Sequence, residues 1–182
     1  MTLDPFLLAE TIQRKERELY ELRGELARSH APNVLPTGEF TVLRCRLQTL
    51  AIAIPALQIR EVVQMVELTR VPDAPVWLAG MLVVGSECIP VFDLVARSSG
   101  VARALEPSEF IVLADARSGA CGLIVDALDG LGSLDATKLA RPGPEVPFGP
   151  HVLGLCRVAD ESVIVLSVAA LSAGDFSFEA AT

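Results

Sequence analysis

Histidine is almost absent from this chain of 182 residues, which contains only two. A Ser-His-Asp or Cys-His arrangement would therefore depend on His30 or His151, and no nucleophile motif such as GxSxG accompanies either of them. A zinc site of mixed His and Cys ligands would have to gather widely separated residues, because the chain has no CxxC pair. The sequence thus predicts no catalytic, cofactor-binding or metal-binding residues, and the protein is not expected to be an enzyme.

Basic residues are also scarce, since 15 Lys and Arg stand against 23 Asp and Glu and the net charge is −8. Nucleic-acid binding needs clustered Lys and Arg, so it is not expected, and anionic membrane surfaces are disfavoured for the same reason. The apolar runs are too short and too interrupted for membrane insertion, and the first ten residues lack the basic leader of a signal peptide. These absences predict a soluble, cytoplasmic protein and leave a basic protein partner open.

The four cysteines are widely spaced, and each lies within or beside an apolar, strand-like run. This placement favours small buried hydrophobic residues in a reducing compartment over zinc ligands or disulfides. The cysteines are Cys45, Cys88, Cys121 and Cys156.

Residues 1–38 read as an amphipathic α-helix followed by a Pro/Gly linker. Asp4 before Pro5 is a candidate N-cap with proline in the first turn. The heptad pattern that follows is short and imperfect, which favours a helix packed on its own domain. Partner docking or self-association through this helix stays open as the alternative. The apolar stripe consists of Leu8, Ile12, Leu19, Leu22 and Leu26.

Residues 39–175 have a different composition pattern, in which short runs rich in Val, Ile and Leu alternate with clusters of Pro, Gly, Asp and Ser. This pattern predicts many short strands in a barrel or sandwich. Helical pattern is limited to a few turns near residues 56–63 and 135–139, no repeat of fixed period is found, and residues 176–182 form a tail. The predicted strands cover residues 41–47, 51–54, 81–84, 88–92, 110–114, 122–125, 152–157 and 162–168.

Five aspartates stand near predicted strand ends or turns. A pair of such carboxylates can carry out acid–base chemistry, so a small β-barrel hydrolase or ligand-binding protein is an alternative function. Aspartate at these places commonly accepts hydrogen bonds from its own turn, and that interpretation is favoured. The five are Asp93, Asp115, Asp126, Asp129 and Asp135.

Six segments, in order and with near-family spacing, resemble the CheW-like coupling proteins of bacterial chemotaxis over about residues 39–171. Each segment alone is weak evidence of a relationship, but the six segments in this order form a specific match to the family. The segments are Phe40-Thr41-Val42-Leu43 with residues 51–54, Ile59-Arg60-Glu61-Val62-Val63, a T-x-x-P-x-x-P-x-x-x-x-G turn at residues 69–80, Pro90-Val91-Phe92-Asp93-Leu94, Gly122-Leu123-Ile124-Val125-Asp126, and the closing strands at residues 151–154 and 163–166.

The resemblance implies a mainly β fold of two packed five-stranded SH3-like β-barrels, preceded by the N-terminal α-helix. It also implies a non-catalytic adaptor that couples a chemoreceptor to a histidine kinase. The kinase regulatory domain would bind at barrel ends, and the chemoreceptor signalling tip would bind in the groove between the barrels. Contacts are expected at Glu61, Val62, Val63, Val83, Val84, Gly85, Ser86 and Asp93.

Two departures from the family pattern predict a divergent member. Family members usually carry N-L-R-G where this chain has Val83-Val84-Gly85-Ser86, so the basic side chain is replaced by Gly85. The last family strand often continues into Asp or Asn, whereas Leu166 is followed here by Ser167. The first change puts one of the two partner contacts in question.

Overall fold

The computed structural model describes residues 37–116 and 119–168, so the N-terminal segment predicted to be helical and the C-terminal tail lie outside the described residues. The described chain is mainly β, with one short α-helix and three 3-10 helices. None of its helices is long and apolar enough to span a membrane. The strands are β1 (Glu39–Leu47), β2 (Leu50–Pro55), β3 (Ile59–Gln64), β4 (Leu78–Val84), β5 (Glu87–Phe92), β6 (Phe110–Ala116), β7 (Gly119–Val125), β8 (Ala127–Asp135), β9 (Val152–Val158) and β10 (Glu161–Leu166); helix α1 is Leu94–Ser99, and the 3-10 helices are Ala56–Gln58, Ala136–Lys138 and Gly149–His151.

The strands form two five-stranded sheets, which we call barrel 1 and barrel 2. Barrel 1 has the strand order β8-β1-β2-β10-β9, and barrel 2 has the order β3-β6-β7-β5-β4. In each barrel the neighbours are antiparallel except for one pair, β2 with β10 in barrel 1 and β5 with β7 in barrel 2. The predicted mainly β fold of two five-stranded units is confirmed.

The two barrels repeat one topology, which the sequence analysis did not detect. Strands β3 to β7 of barrel 2 follow one another in the chain, whereas barrel 1 takes β1 and β2 from the start and β8 to β10 from the end. The order in one barrel is thus a circular permutation of the order in the other, and a search for a fixed period misses it. The equivalent strands are β3 and β8, β4 and β9, β5 and β10, β6 and β1, and β7 and β2.

Three clusters of buried apolar side chains hold the barrels together. One lies within barrel 1 around Val42 and Val165, and one lies within barrel 2 around Val91 and Ile111. The third draws on both barrels and contains, among others, Ile52, Ile54, Val112, Leu123 and Leu166. Because neither barrel buries the third set alone, packing of the barrels against each other is part of the hydrophobic stabilisation.

A polar contact also crosses between the barrels beside helix α1. The guanidinium of Arg97 lies 5.4 Å from the ring centroid of Trp77, which precedes β4. Its Nη2 atom lies 3.0 Å from Nε2 of His151, which precedes β9. Trp77 and His151 occupy equivalent places, because their carbonyl groups accept hydrogen bonds from the backbone of Asp93 and Ser167 at the ends of β5 and β10.

The helical turns predicted near residues 56–63 are mostly wrong. Only Ala56–Gln58 forms a 3-10 helix, and Ile59–Gln64 is strand β3, which pairs with β6. A short apolar run cannot be assigned by periodicity alone, and the β-branched Val62 and Val63 suit a strand. The helical turn predicted near residues 135–139 is confirmed by the 3-10 helix Ala136–Lys138.

Replacing Gly154 by Ala should destabilise the protein. The added Cβ would lie 2.9 Å from Cβ of Leu139 and 3.1 Å from the carbonyl oxygen of Ala140, in the segment that crosses β9. We expect a loss of about 1–3 kcal/mol in the free energy of unfolding, measured by urea denaturation. Gly132→Ala is the matched control, because its Cβ would meet only the flexible side chain of Arg44 at 3.3 Å. Equal losses in both variants would contradict the close approach.

Candidate partner-binding surface

The β4–β5 hairpin presents the predicted contact segment Val83-Val84-Gly85-Ser86. Val84 pairs with Glu87, so Gly85 and Ser86 form a two-residue turn. Gly85 has φ of +60°, while Ser86 does not have a positive φ. A positive φ at the first turn position alone is typical of the type II′ turn, which favours glycine there. Gly85 therefore suits this tight turn.

Arg60 connects strand β3 to this hairpin. Its Nη1 lies 2.9 Å from Oε2 of Glu87, the residue after Ser86, and its Nε is ion-paired with Asp115 of β6. Glu61 follows Arg60 directly, so these ion pairs place the Glu61 segment beside the hairpin. Sequence analysis named the two segments separately, and the structure brings them together at one end of barrel 2. We call Glu61, Val83, Gly85 and Ser86 the hairpin surface.

Exposure separates the predicted contact residues into two groups. Those of the hairpin surface are exposed, and 64% of Val83 is accessible. Val62, Val63 and Val84 are half-buried, since Val62 packs against the core shared by both barrels and the other two pack against the barrel 2 core. These three valines therefore anchor the backbone of the two segments to the buried cores.

Asp93 lies apart from the hairpin surface, at the opposite end of β5. Six strand steps separate it from Glu87, a span of about 20 Å. Only 2% of Asp93 is exposed, and its Oδ1 accepts hydrogen bonds from the backbone N–H groups of Val95 and Ala96 at the start of α1. Its Oδ2 lies 2.7 Å from Nε of Arg103. Any part of Asp93 in partner binding must therefore act through the groups that it holds.

The Arg103 side chain fixes one wall of a groove that sequence analysis missed. Arg103 is ion-paired with Asp93 and with Glu109, and it lies 3.8 Å from Asp126. The groove has a volume of about 1390 Å³ and is formed by barrel 2 residues alone, from the connection after β3 and the segment before β6. The half-exposed Val66 and Val76 line it. The sequence feature that could have indicated this groove is the long irregular connection around the two prolines at residues 72 and 75.

Comparison with known proteins agrees with the fold. A family model described as a CheW-like domain matches residues 41–175. This chain belongs to the CheW-like domain family. It is 23% identical over 118 residues to a probable chemotaxis protein CheW from Rhizobium etli, covering 65% of this chain and 76% of that protein. The crystal structure of the scaffolding protein TtCheW from Thermoanaerobacter tengcongensis aligns with a TM-score of 0.66 and 23% identity, over 77% of this chain and 91% of that one.

The strand-end carboxylates of this CheW-like chain have structural partners. Asp93 and Asp135 accept hydrogen bonds from the helical turns that follow them, as the sequence predicted for this class of aspartate. Asp115 and Asp129 instead form ion pairs, and Asp126 accepts a hydrogen bond from the Gln48 backbone. No group of three His, Cys, Asp or Glu side chains that could hold a metal ion occurs in the described ranges. The comparisons give no support to the hydrolase or ligand-binding alternative.

The prediction that all four cysteines are buried is correct for three of them. Cys45, Cys121 and Cys156 are buried, whereas Cys88 is exposed on β5. Burial raises the pKa of the Cys45 and Cys121 thiols to about 12. Cys88 is directly opposite Val83, so the two exposed side chains share one face of the hairpin. Alternation in a strand distinguishes the two faces, but the apolar run that follows Cys88 hid its exposure.

Only Cys88 should react rapidly with a maleimide in the folded protein. The other thiols are buried and reach the reactive thiolate form poorly, because burial raises the pKa of each one. Intact mass spectrometry should show one rapid addition under native conditions and four in denaturant. Cys88→Ser should abolish the rapid addition, and a second rapid addition in the native protein would contradict the buried positions.

Substitution of Asp93 by Ala should cost about 3 kcal/mol of unfolding free energy, because it removes one of the two buried carboxylates that pair with Arg103 and also removes the cap of α1. Asp135→Ala is the matched control, since Asp135 also caps a helical turn but has a more exposed carboxylate. The control should lose about 1 kcal/mol. Urea denaturation measures both values, and a smaller loss for Asp93→Ala than for the control would contradict the structural role.

Proposed function

We propose that this CheW-like chain is a non-catalytic adaptor that couples a chemoreceptor to a histidine kinase through protein–protein contacts. Family membership over residues 41–175 supports the general function. The observation that carries the site proposal is the Arg60–Glu87 ion pair, which links the strand of the exposed Glu61 to the hairpin of the exposed Val83. Binding a partner through this surface requires no reactive group.

The hairpin surface combines an apolar centre with acidic neighbours. Val83 could contribute roughly 1.5–3 kcal/mol to binding if a partner covered it completely. Glu61 and Glu87 lie at the rim, where charges mainly select the partner and the orientation in which it docks. Arg60 is already paired with Asp115 and Glu87. The complementary surface on the partner should therefore be apolar at its centre and basic at its edge.

The two expected partners are the regulatory domain of a histidine kinase and the signalling tip of a chemoreceptor. A receptor tip presents helices, and the apolar stripe of a helix can be buried against an apolar surface. We assign Glu61, Val62, Val63, Val83, Val84, Gly85 and Ser86 to partner contact or its direct support, and Asp93 to a positioning role. Gly85 alters the contact in which family members use arginine.

The remaining assignments of this proposal concern the ends of the chain and its location. We take residues 39–175 as the adaptor domain and residues 1–38 as the helix and linker that precede it, with self-association through this helix as the alternative to its packing on the domain. Family membership supports action in the cytoplasm, where receptor tips and histidine kinases meet.

A pull-down from the native cytoplasm, with the purified chain as bait, tests the adaptor function. Mass spectrometry should identify a histidine kinase or a chemoreceptor among the captured proteins. Glu61→Arg and Val83→Arg should each reduce capture at least tenfold, because the first places a cation against the basic edge of the partner and the second places one against its apolar centre. Glu67→Arg is the matched control, since it reverses an exposed carboxylate elsewhere on barrel 2, and it should capture the partner as the parent does.

Cys88 supplies an independent measurement on the same surface. Bound partner should slow the reaction of Cys88 with maleimide, because Cys88 and Val83 share one face of the hairpin. Capture of a partner without protection of Cys88 would show that the partner binds somewhere other than the hairpin surface. Capture of neither partner by a folded, monodisperse protein would mean that the chain keeps the family fold and has a different function.

A further inference from the structure

Two carboxylates lie at the end of barrel 2 that carries the β4–β5 hairpin, which we call the mouth of barrel 2. Asp115 lies two residues beyond Leu113 in β6, and Glu87 lies two residues before Ile89 in β5. Leu113 and Ile89 belong to the barrel 2 core, and alternate residues of a strand share one face. Strand β7 is antiparallel to β6 and parallel to β5, so the end of β6 and the start of β5 coincide. The inward face of barrel 2 therefore ends in two acidic side chains at its mouth.

Arg60 connects these two carboxylates from a third strand. Ile59 and Glu61 face consecutive residues of β6, so Arg60 is the extra residue of a β-bulge, a feature that redirects side chains. Its Nε is ion-paired with Asp115, and its Nη1 lies 2.9 Å from Oε2 of Glu87. Strands β6 and β7 separate β3 from β5 in the sheet. The contact with Glu87 therefore crosses the mouth of the barrel instead of following the sheet.

Barrel 1 closes the equivalent end in the same way. Arg46 of β1 lies 2.7 Å from Asp129 of β8, and its Nη2 lies 2.8 Å from Oε2 of Glu161. Glu161 and Glu87 begin the equivalent strands β10 and β5. Strand β2 separates β1 from β10, so this contact also crosses between strands that are not neighbours. Each barrel thus has one arginine that ties an aspartate to the glutamate at the start of its hairpin's second strand.

The two clusters differ in burial. The side chains of Arg60 and Asp115 are 15% and 9% exposed, whereas those of Arg46 and Asp129 are 35% and 30% exposed. Exposed ion pairs contribute little and are screened by salt, whereas partly buried pairs are screened much less. The cluster of barrel 2 is therefore the better anchor for the hairpin beside it.

The β4–β5 hairpin needs such an anchor because β4 is the last strand of the barrel 2 sheet. On the outer side of β4, the described chain forms an isolated bridge between Thr69 and Met81, which is distant from the turn. Between Met81 and the turn, β4 pairs with β5. Arg60 adds an attachment from the opposite edge strand, at the first residue after the turn. It therefore restrains the hairpin relative to the strand that carries Glu61.

We propose that Arg60 is a positioning residue of the hairpin surface, which fixes Val83 relative to Glu61 by holding Glu87 across the mouth of barrel 2. This inference rests on the proposed adaptor function and adds a residue that sequence analysis did not name. A surface that is already held in its bound arrangement loses less conformational entropy when a partner docks. Arg60 thus strengthens docking without touching the partner.

Arg60→Met with Asp115→Asn tests the anchoring. The second substitution prevents a buried carboxylate from being left without its cation, and the pair of substitutions leaves the net charge unchanged. Glu61, Val83 and Glu87 all remain. Hydrogen–deuterium exchange, read by mass spectrometry, should become about fivefold faster at residues 83–88 because the hairpin opens locally more often.

Arg46→Met with Asp129→Asn is the matched control for exchange. It removes the equivalent pair of barrel 1, so it should accelerate exchange at residues 158–161 and leave residues 83–88 unchanged. Glu87→Gln breaks the Arg60 contact at its half-exposed end and should also accelerate exchange at residues 83–88. This single variant keeps the test valid if the double variant does not fold.

Partner capture by the Arg60→Met, Asp115→Asn variant should fall severalfold in the pull-down. Gly154→Ala controls for a general loss of stability, because it destabilises barrel 1 away from the hairpin, and it should capture the partner as the parent does. A fall in capture cannot come from net charge, which is the same in variant and parent.

Unchanged exchange at residues 83–88, or equal acceleration throughout the chain, would overturn the anchoring role of Arg60. A loosened hairpin with undiminished capture would overturn its part in docking. If the parent itself captures no partner, the adaptor function fails and the docking role fails with it. The exchange measurement would then still decide whether Arg60 anchors the hairpin, so the two failures are distinguishable.

Discussion

The parallel pairing of β2 with β10 is the contact on which the rest of the described structure depends. Ala51, Ile52 and Ala53 face Val163, Ile164 and Val165 across this pair. This pair joins the two parts of the barrel 1 sheet. Strands β8, β1 and β2 lie on one side of it, and β10 and β9 lie on the other. Ile52 and Val165 have no exposed surface. Parallel pairing cannot be closed by a short turn, and here it encloses the whole of barrel 2 between its two strands.

That long-range closure also provides the shared core. Ile52, Ile54 and Leu166 of barrel 1 pack with Val112 and Leu123 of barrel 2 in one cluster. Barrel 2 is continuous in the chain and has its own interior, but one of its faces is covered only when barrel 1 is assembled. The hairpin surface lies on the barrel that forms from consecutive strands, and α1 joins that barrel to the closing segment through Arg97.

The fold was largely predictable because the information was local. In β1, Leu43, Cys45 and Leu47 alternate with Arg44 and Arg46, and the structure buries the first set while leaving the arginines half-exposed. Strands β6 and β7 were evident as apolar runs. Strand β8 was missed because Asp129, Gly130 and Gly132 give it the composition of a turn, although it pairs with β1 along almost its whole length.

The site was less predictable because its geometry rests on contacts between distant residues. The motif comparison identified Glu61 and the segment around Val83, but only the ion pairs of Arg60 show that they are adjacent. The same comparison grouped Asp93 with them, and the length of β5 separates it from them. The Asp93 carboxylate instead caps α1 and forms an ion pair with Arg103. A single sequence does not reveal that Arg46 and Arg60 each pair with two carboxylates, because these partners lie on strands that become neighbours only in the folded barrels.

The inserted position of barrel 2 has a mechanical consequence. Strands β1 and β10, which carry the two ends of the described chain, both belong to barrel 1. Tension applied between those ends therefore enters and leaves through barrel 1, and its hydrogen bonds bear the load first. Barrel 2 is shielded from the force until barrel 1 opens. An adaptor built in this way can be pulled by whatever is attached to its ends while the hairpin surface keeps its shape.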